Sequence, residues 1–165
     1  MSLAYIGLGS NLGDSRGLMA EAVEGLAQLG QIRVSRLYAS SPMGPQDQPD
    51  YLNAAVQLET ILSPHALLDQ LQALEQAAGR KRLRHWGERT LDLDLLLFDD
   101  AKIHTSRLMV PHVGILDRVF VIQPLLDLDS ELVVSGQALK SHPLATSTDG
   151  IRAISSTSWA EVAYL

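Results

Sequence analysis

The sequence predicts an α+β fold, and three observations carry that prediction. The hydrophobic period switches between strand-like and helical in the order β-α-β-β-α-β, glycine or proline punctuates most of the switches, and the last strand of the series is a leucine-rich run holding two aspartates. Residues 2–9, Ser-Leu-Ala-Tyr-Ile-Gly-Leu-Gly, form a short apolar run ending in glycine, which reads as a buried strand entering a loop. Leu18, Ala22, Val23, Leu26 and Leu29 then recur at helical spacing ahead of Gly30, a residue suited to the position just past a helix. Residues 31–40 alternate well enough, with Ile32, Val34, Leu37 and Tyr38, to give a second strand, and 52–62 give a third. Ser63-Pro64 is an N-cap followed by proline at the first helical position, and Leu67, Leu68, Leu71, Leu74 and Ala78 make an apolar stripe that runs to Gly79. After a basic loop comes the aspartate strand over 90–98. That order fits a ferredoxin-like sandwich with both helices on one face of an antiparallel sheet. From residue 99 the pattern weakens to short strands near 131–134 and 151–154, a loop over 141–149 and a short helix near 158–163.

Length and composition bound the function. A chain of 165 residues with 46% hydrophobic content is the size of one domain, taken as 1–165, and has material for a core. Cysteine is absent, so thiolate metal sites and disulfides are excluded, and a cytoplasmic protein is the simpler expectation. The N-terminus lacks a basic leader, and the apolar runs fall short of the ~20 residues a membrane span needs. A net charge of −6 argues against general nucleic-acid binding. The cations are nevertheless clustered: of 13 Lys and Arg, Arg80, Lys81, Arg82, Arg84, Arg89, Lys102, Arg107 and Arg118 lie between positions 80 and 118. They surround the aspartates.

In Arg89-Thr-Leu-Asp92-Leu-Asp94-Leu-Leu-Leu-Phe98 the two carboxylates project from one strand face, roughly 6.6 Å apart at ~3.3 Å per residue, while Leu91, Leu93 and Leu95 project from the other. Close carboxylates resist ionising together unless a cation meets them. Hard oxygens of this kind suit Mg²⁺, which takes one or two carboxylates and leaves its other positions to water and substrate phosphates. The plainer alternative is an edge strand with both aspartates in water. The loop at 80–89 brings arginine forks and an indole to the same strand, and a polyphosphate site accounts for both charge clusters. Tyr51 and Asn53 share a face at the start of the third strand, offering a ring to stack on and a carboxamide for a flat polar heterocycle, or simply packing and a loop cap. Gln72 and Glu75, three apart on the second helix, face a ligand or, more simply, water. Gly7-x-Gly9-x-x-x-Gly13 sits where a dinucleotide loop would, but its spacing is wrong and no acidic residue closes the next strand, so it reads as a tight turn. No P-loop occurs. Two other classes remain open: a nicotinamide-dependent reductase using those glycines, and an RNA-recognition module of the same element order, although the third strand lacks the aromatics such modules stack on bases.

Three motifs together, Gly-Pro-Gln-Asp-Gln-Pro-Asp-Tyr-Leu-Asn-Ala (44–54), Trp-Gly-x-Arg-Thr-Leu-Asp-Leu-Asp (86–94) and Arg-Leu-x-Val-Pro-His (107–112), closely resemble the 6-hydroxymethyl-7,8-dihydropterin pyrophosphokinase family, from Gly-Ser-Asn-Leu at 9–12 to about residue 135. The resemblance implies transfer of pyrophosphate from ATP to the pterin hydroxymethyl group with release of AMP. By the same likeness Asp92 and Asp94 hold two Mg²⁺ ions, and Arg80 and Arg89 engage the phosphates. Ser40, Met43, Tyr51, Asn53, Trp86 and Phe120 hold the pterin. Gln72, Glu75, Arg82, Trp86, Arg89, Leu95, Arg107, His112 and Arg118 surround ATP. The implied partners are these two small molecules, with no nucleic acid and no membrane, and a monomer is expected. The chain departs from the family pattern at Ser41, Met109 and Val113 and in a loop shortened by one residue between Gly79 and Trp86.

Overall fold

The computed structural model describes residues 1–41, 49–79, 90–148 and 150–164, the last four by backbone alone. Its frame is an antiparallel sheet with β1 (Ser2–Ser10) at its heart, between β4 (Tyr51–Thr60) and β5 (Asp92–Phe98). Beyond β4 lie β3 (Leu37–Ser40) and then β10 (Ile151–Ser155), giving the order β10-β3-β4-β1-β5, with β2 (Gln31–Val34) also paired to β4. The run expected as one strand over 31–40 is thus two. Val34 faces Val56 and Tyr38 faces Asn53, four residues against three, so the chain bulges at Ser35 and Arg36. Ser35 fills the gap by accepting the Ala55 N–H on its Oγ at 2.8 Å while its own N–H donates to the Ala55 carbonyl at 2.9 Å.

Helix α1 (Ser15–Ala27) is capped by the Asp14 side chain, which accepts from Gly17 N. Helix α2 (Pro64–Ala77) starts as its sequence predicts, with the Ser63 side chain accepting from Ala66 N and proline in the first turn. It ends before Gly79, whose φ of +69° is the left-handed conformation that glycine supplies past a helix. Both helices cover one face of the sheet. Their core holds Ala4, Ile6 and Leu8 from β1 together with Val56, Leu58, Leu67 and Leu71.

The expectation that helices occupy one face only is corrected by α3 (Val119–Leu128). Its Ile122, Leu125 and Leu128 pack with Tyr5, Ala55, Leu96 and Leu97 on the opposite face. The sequence hid this helix for physical reasons: it is apolar on most sides, Pro124 lies inside it, and Arg118 caps it without a side-chain bond. Asp127 fastens its far end to β3, accepting from the Tyr38 hydroxyl at 2.7 Å and from Arg36. The remainder is short: β6 (Ile103–His104) with β7 (Met109–Val110), and β8 (Val133–Val134) with β9 (Gln137–Ala138). The segment read as a loop over 141–149 contains a 3-10 turn at Pro143–Thr146, and the expected terminal helix is 3-10 over Thr157–Tyr164. Trp159 is buried there, and its indole N–H donates to the Ser35 carbonyl at 2.9 Å. The ferredoxin-like α+β arrangement stands, with a third helix added to it. Among the described residues no helix is long and apolar enough to cross a membrane.

Candidate active site

Strand register assembles the site. Gly9 of β1 pairs with Asn53 on one side and Asp92 on the other, and Gly7 pairs with Ala55 and Asp94. Laterally paired residues point to the same face, so the carboxamide and both carboxylates rise from the α3 side of the sheet over a floor of glycine. They line one recess with Ser40 and Tyr51, and His112, Arg118 and Phe120 close it from the other bank. The sequence-derived pairings therefore hold: Asp92 with Asp94, and Tyr51 with Asn53, each share a face, and the two pairs meet.

Asn53, His112 and Arg118 are each held by a neighbour within the protein. Asn53 is 5% exposed, and its Nδ2 donates to Ser40 Oγ at 2.7 Å, which fixes the plane of the carboxamide. His112 is delivered by a β-bulge. Leu96 is the extra residue between the pairs Ile6 with Leu95 and Tyr5 with Leu97, and its carbonyl accepts the His112 N–H at 2.9 Å. His112 Nδ1 in turn accepts from Gly114 N at 3.0 Å, an assignment that puts the ring proton on Nε2 and makes that atom a donor. The Arg118 guanidinium lies 5.9 Å from the centre of the Phe120 ring. Behind the recess, burial pushes the Tyr38 hydroxyl well above its usual range, and its bond to Asp127 adds to that.

Sequence reasoning passed over Ser10, which ends β1, and Asn11, which follows it; they are 0% and 4% exposed. Ser10 Oγ donates to the Thr90 carbonyl at 2.5 Å, and Asn11 Nδ2 donates to the Pro49 carbonyl at 2.9 Å. One strand end thereby grips the residues that lead into both β4 and β5. Buried polar side chains at the end of an apolar strand were the available signal.

Other expected site residues lie elsewhere. Glu75 does not face water: it is 6% exposed, and its Oε2 accepts the Leu93 N–H at 2.9 Å on the edge of β5 turned away from β1. Arg107 Nη2 donates to Asp69 at 2.7 Å and to Gln72 Oε1 at 3.2 Å, so Gln72 and Arg107 form a second polar group beside α2. Leu95, implied as a nucleotide contact, is 2% exposed and packs in the core beneath the helices, on the face away from the aspartates. Met43, Arg80, Arg82, Trp86 and Arg89 lie outside the described residues. The glycine motif is corrected as well. Gly7 and Gly9 are strand residues, neither a tight turn nor a phosphate loop, and only Gly13 has a left-handed φ, +77°.

The carboxylates fit a hard divalent cation. They share one face and line one recess, and a pair of carboxylates is a donor set for an ion whose other positions go to water and phosphate oxygens. Two acids on one face with a histidine, an arginine and a carboxamide around the same recess make up the kind of side-chain set that a transferase of phosphate groups can use. Comparison with known proteins narrows that class. The chain belongs to the 7,8-dihydro-6-hydroxymethylpterin-pyrophosphokinase family, whose model matches residues 5–130. It is 49% identical over 137 residues to the 2-amino-4-hydroxy-6-hydroxymethyldihydropteridine pyrophosphokinase of Haemophilus influenzae, covering 81% of this chain and 86% of that one. The Methylorubrum extorquens protein of the same name is 40% identical over 157 residues, 93% of this chain and 99% of the relative. In fold, the chain matches the crystal structure of Plasmodium falciparum HPPK-DHPS with a TM-score of 0.67 at 16% identity, over 88% of this chain and 43% of that one. It is an ATP-dependent pyrophosphokinase of folate biosynthesis that acts on small molecules.

Proposed function

We propose that the protein transfers the terminal pyrophosphate of ATP to the hydroxymethyl group of 6-hydroxymethyl-7,8-dihydropterin and releases AMP. One observation carries the reading: Asn53 and the pair Asp92 and Asp94 flank the same glycine floor, so a ring bound at the amide presents its substituent toward the carboxylates. The recess has a volume of about 130 Å³. That is below the ~300 Å³ of the smallest drug-sized sites, and it suits a single ring system with the nucleotide lying across its mouth. Tyr51 and Phe120 supply ring faces for the pterin and Asn53 supplies its polar edge, with Ser40 holding the amide. Asp92 and Asp94 are the proposed ligands of two Mg²⁺ ions, which when bound neutralise phosphate charge and align the displacement. His112 Nε2 and the Arg118 guanidinium face the phosphates as donors, and Gln72 and Arg107 take the outer part of the nucleotide. With Asp92 and Asp94 committed to the metal ions and His112 donating from Nε2, positioning and charge neutralisation do most of the catalysis.

The test is chromatography of nucleotide products after mixing protein, ATP, Mg²⁺ and the hydroxymethylpterin, with a control lacking pterin. AMP formed only when pterin is present is the expected result. ADP, or no product, would overturn the reaction.

A further inference from the structure

Two glycines stand in one row on β1, and they do different work. A methyl group built on Gly7 would come within 3.3 Å of Leu96 Cδ1, so the space there is already filled by the protein's own side chain. At Gly9 the nearest described atoms to such a methyl are Asn53 Oδ1 at 3.7 Å and the Leu52 carbonyl at 3.8 Å, both ordinary contacts. The φ of Gly9 is not left-handed, and the residue lies within β1 with regular partners on both sides. Glycine weakens a strand interior because it holds no side chain in place and frees the unfolded chain. Backbone geometry does not ask for glycine at this position, packing leaves room for a methyl group, and strand stability disfavours glycine.

What Gly9 does provide is open volume between the Asn53 amide and the Asp92 carboxylate. We infer that Gly9 is a specificity-determining position of the pterin site: the missing side chain lets the ligand's ring reach the sheet between those two groups, and its substituent is thereby set beside the carboxylates. A side chain at position 9 would hold the ring away from the amide while leaving the nucleotide end near His112 and Arg118 untouched. The ligand class this admits is a flat, unsubstituted heterocyclic edge.

The inference rests on the pterin reading above, and the experiment separates the two. Binding of 6-hydroxymethyl-7,8-dihydropterin is measured by calorimetry in the presence of Mg²⁺ and a non-hydrolysable ATP analogue, for the unaltered protein and for Gly9→Ala, alongside thermal midpoints. Failure of the unaltered protein to bind the pterin overturns the reading of the site itself. Given that it binds, Gly9→Ala is expected to melt at the same temperature or higher, to lose at least tenfold in pterin affinity, and to keep its affinity for the ATP analogue within twofold. A loss below tenfold, an equal loss for the nucleotide, or a variant that melts lower or does not fold would each overturn the inference, the last because it would show that the fold itself needs the glycine.

Discussion

The two faces of the central sheet use the same strands and spend them differently. On the side of α1 and α2, every second residue of β1, Ala4, Ile6 and Leu8, meets leucine or valine, and the surface is continuous and closed. On the side of α3 the alternate residues begin in the same way, with Tyr5 and Ala55 under the helix, and then give way to Gly7, Gly9, Asn53, Asp92 and Asp94. Alternation lets one strand hold the fold together with its odd members and perform chemistry with its even ones, or the reverse. Stability and activity should therefore be separable by choosing a face.

Substitutions can break that separation or sharpen it. The largest effect is expected from Asp94→Ala, which should lower kcat by about 10²–10³-fold or more, the scale of losing one preorganised charge-stabilising group. Its thermal midpoint should stay within a few degrees, since Asp94 is exposed; steady-state kinetics and calorimetry on one preparation check both. Leu71→Ala, on the closed face and fully buried, should do the opposite and cost roughly 2–5 kcal/mol in urea unfolding while leaving turnover per folded molecule nearly intact. Asn53→Ala should weaken pterin binding by roughly tenfold to a hundredfold, the ~1–3 kcal/mol of an unpaired polar partner, and ATP binding far less. Equal losses for the two ligands in a binding titration would count against the amide's role. The smallest effect belongs to Tyr38→Phe, at ~1 kcal/mol for a lost hydrogen bond to Asp127. Because folding raises the Tyr38 pKa, its contribution is complete below the ordinary tyrosine value near 10 and is lost as pH climbs through the folded value. Stability followed from pH 9 upward should fall less steeply in the variant, although Tyr5, also raised by burial, keeps part of the slope.

The sequence disclosed the closed face well and the open one unevenly. Capping at Ser63, the leucine stripe of α2 and the apolar run of β1 ending in glycine are local signals, and each produced its element. The shared face of Asp92 and Asp94 followed from strand period alone. Helix α3 did not, because its burial between the sheet and the small β8-β9 region removes the polar stripe that marks a surface helix, and Pro124 reads as a stop. Gly9 was legible only as a turn residue, since its partners Asn53 and Asp92 stand 44 and 83 positions away and become neighbours by pairing. Glu75 is the same kind of case. On its own helix it is a plausible surface acid, and only the approach of β5 reveals that the Leu93 amide needs it.

The bulge at Leu96 has a consequence for how the gene can change length. In a regular strand, losing one residue inverts every side chain beyond the cut, so deletion of Leu93 would put Asp92 and Asp94 on opposite sides. Position 96 is different: with Leu96 removed, Ile6, Tyr5 and Ala4 keep Leu95, Leu97 and Phe98 as partners in unbroken alternation. The strand tolerates that loss in phase, yet the deletion also discards the carbonyl that holds His112. One surplus leucine is thus where a deletion spares the architecture and strips out a working part.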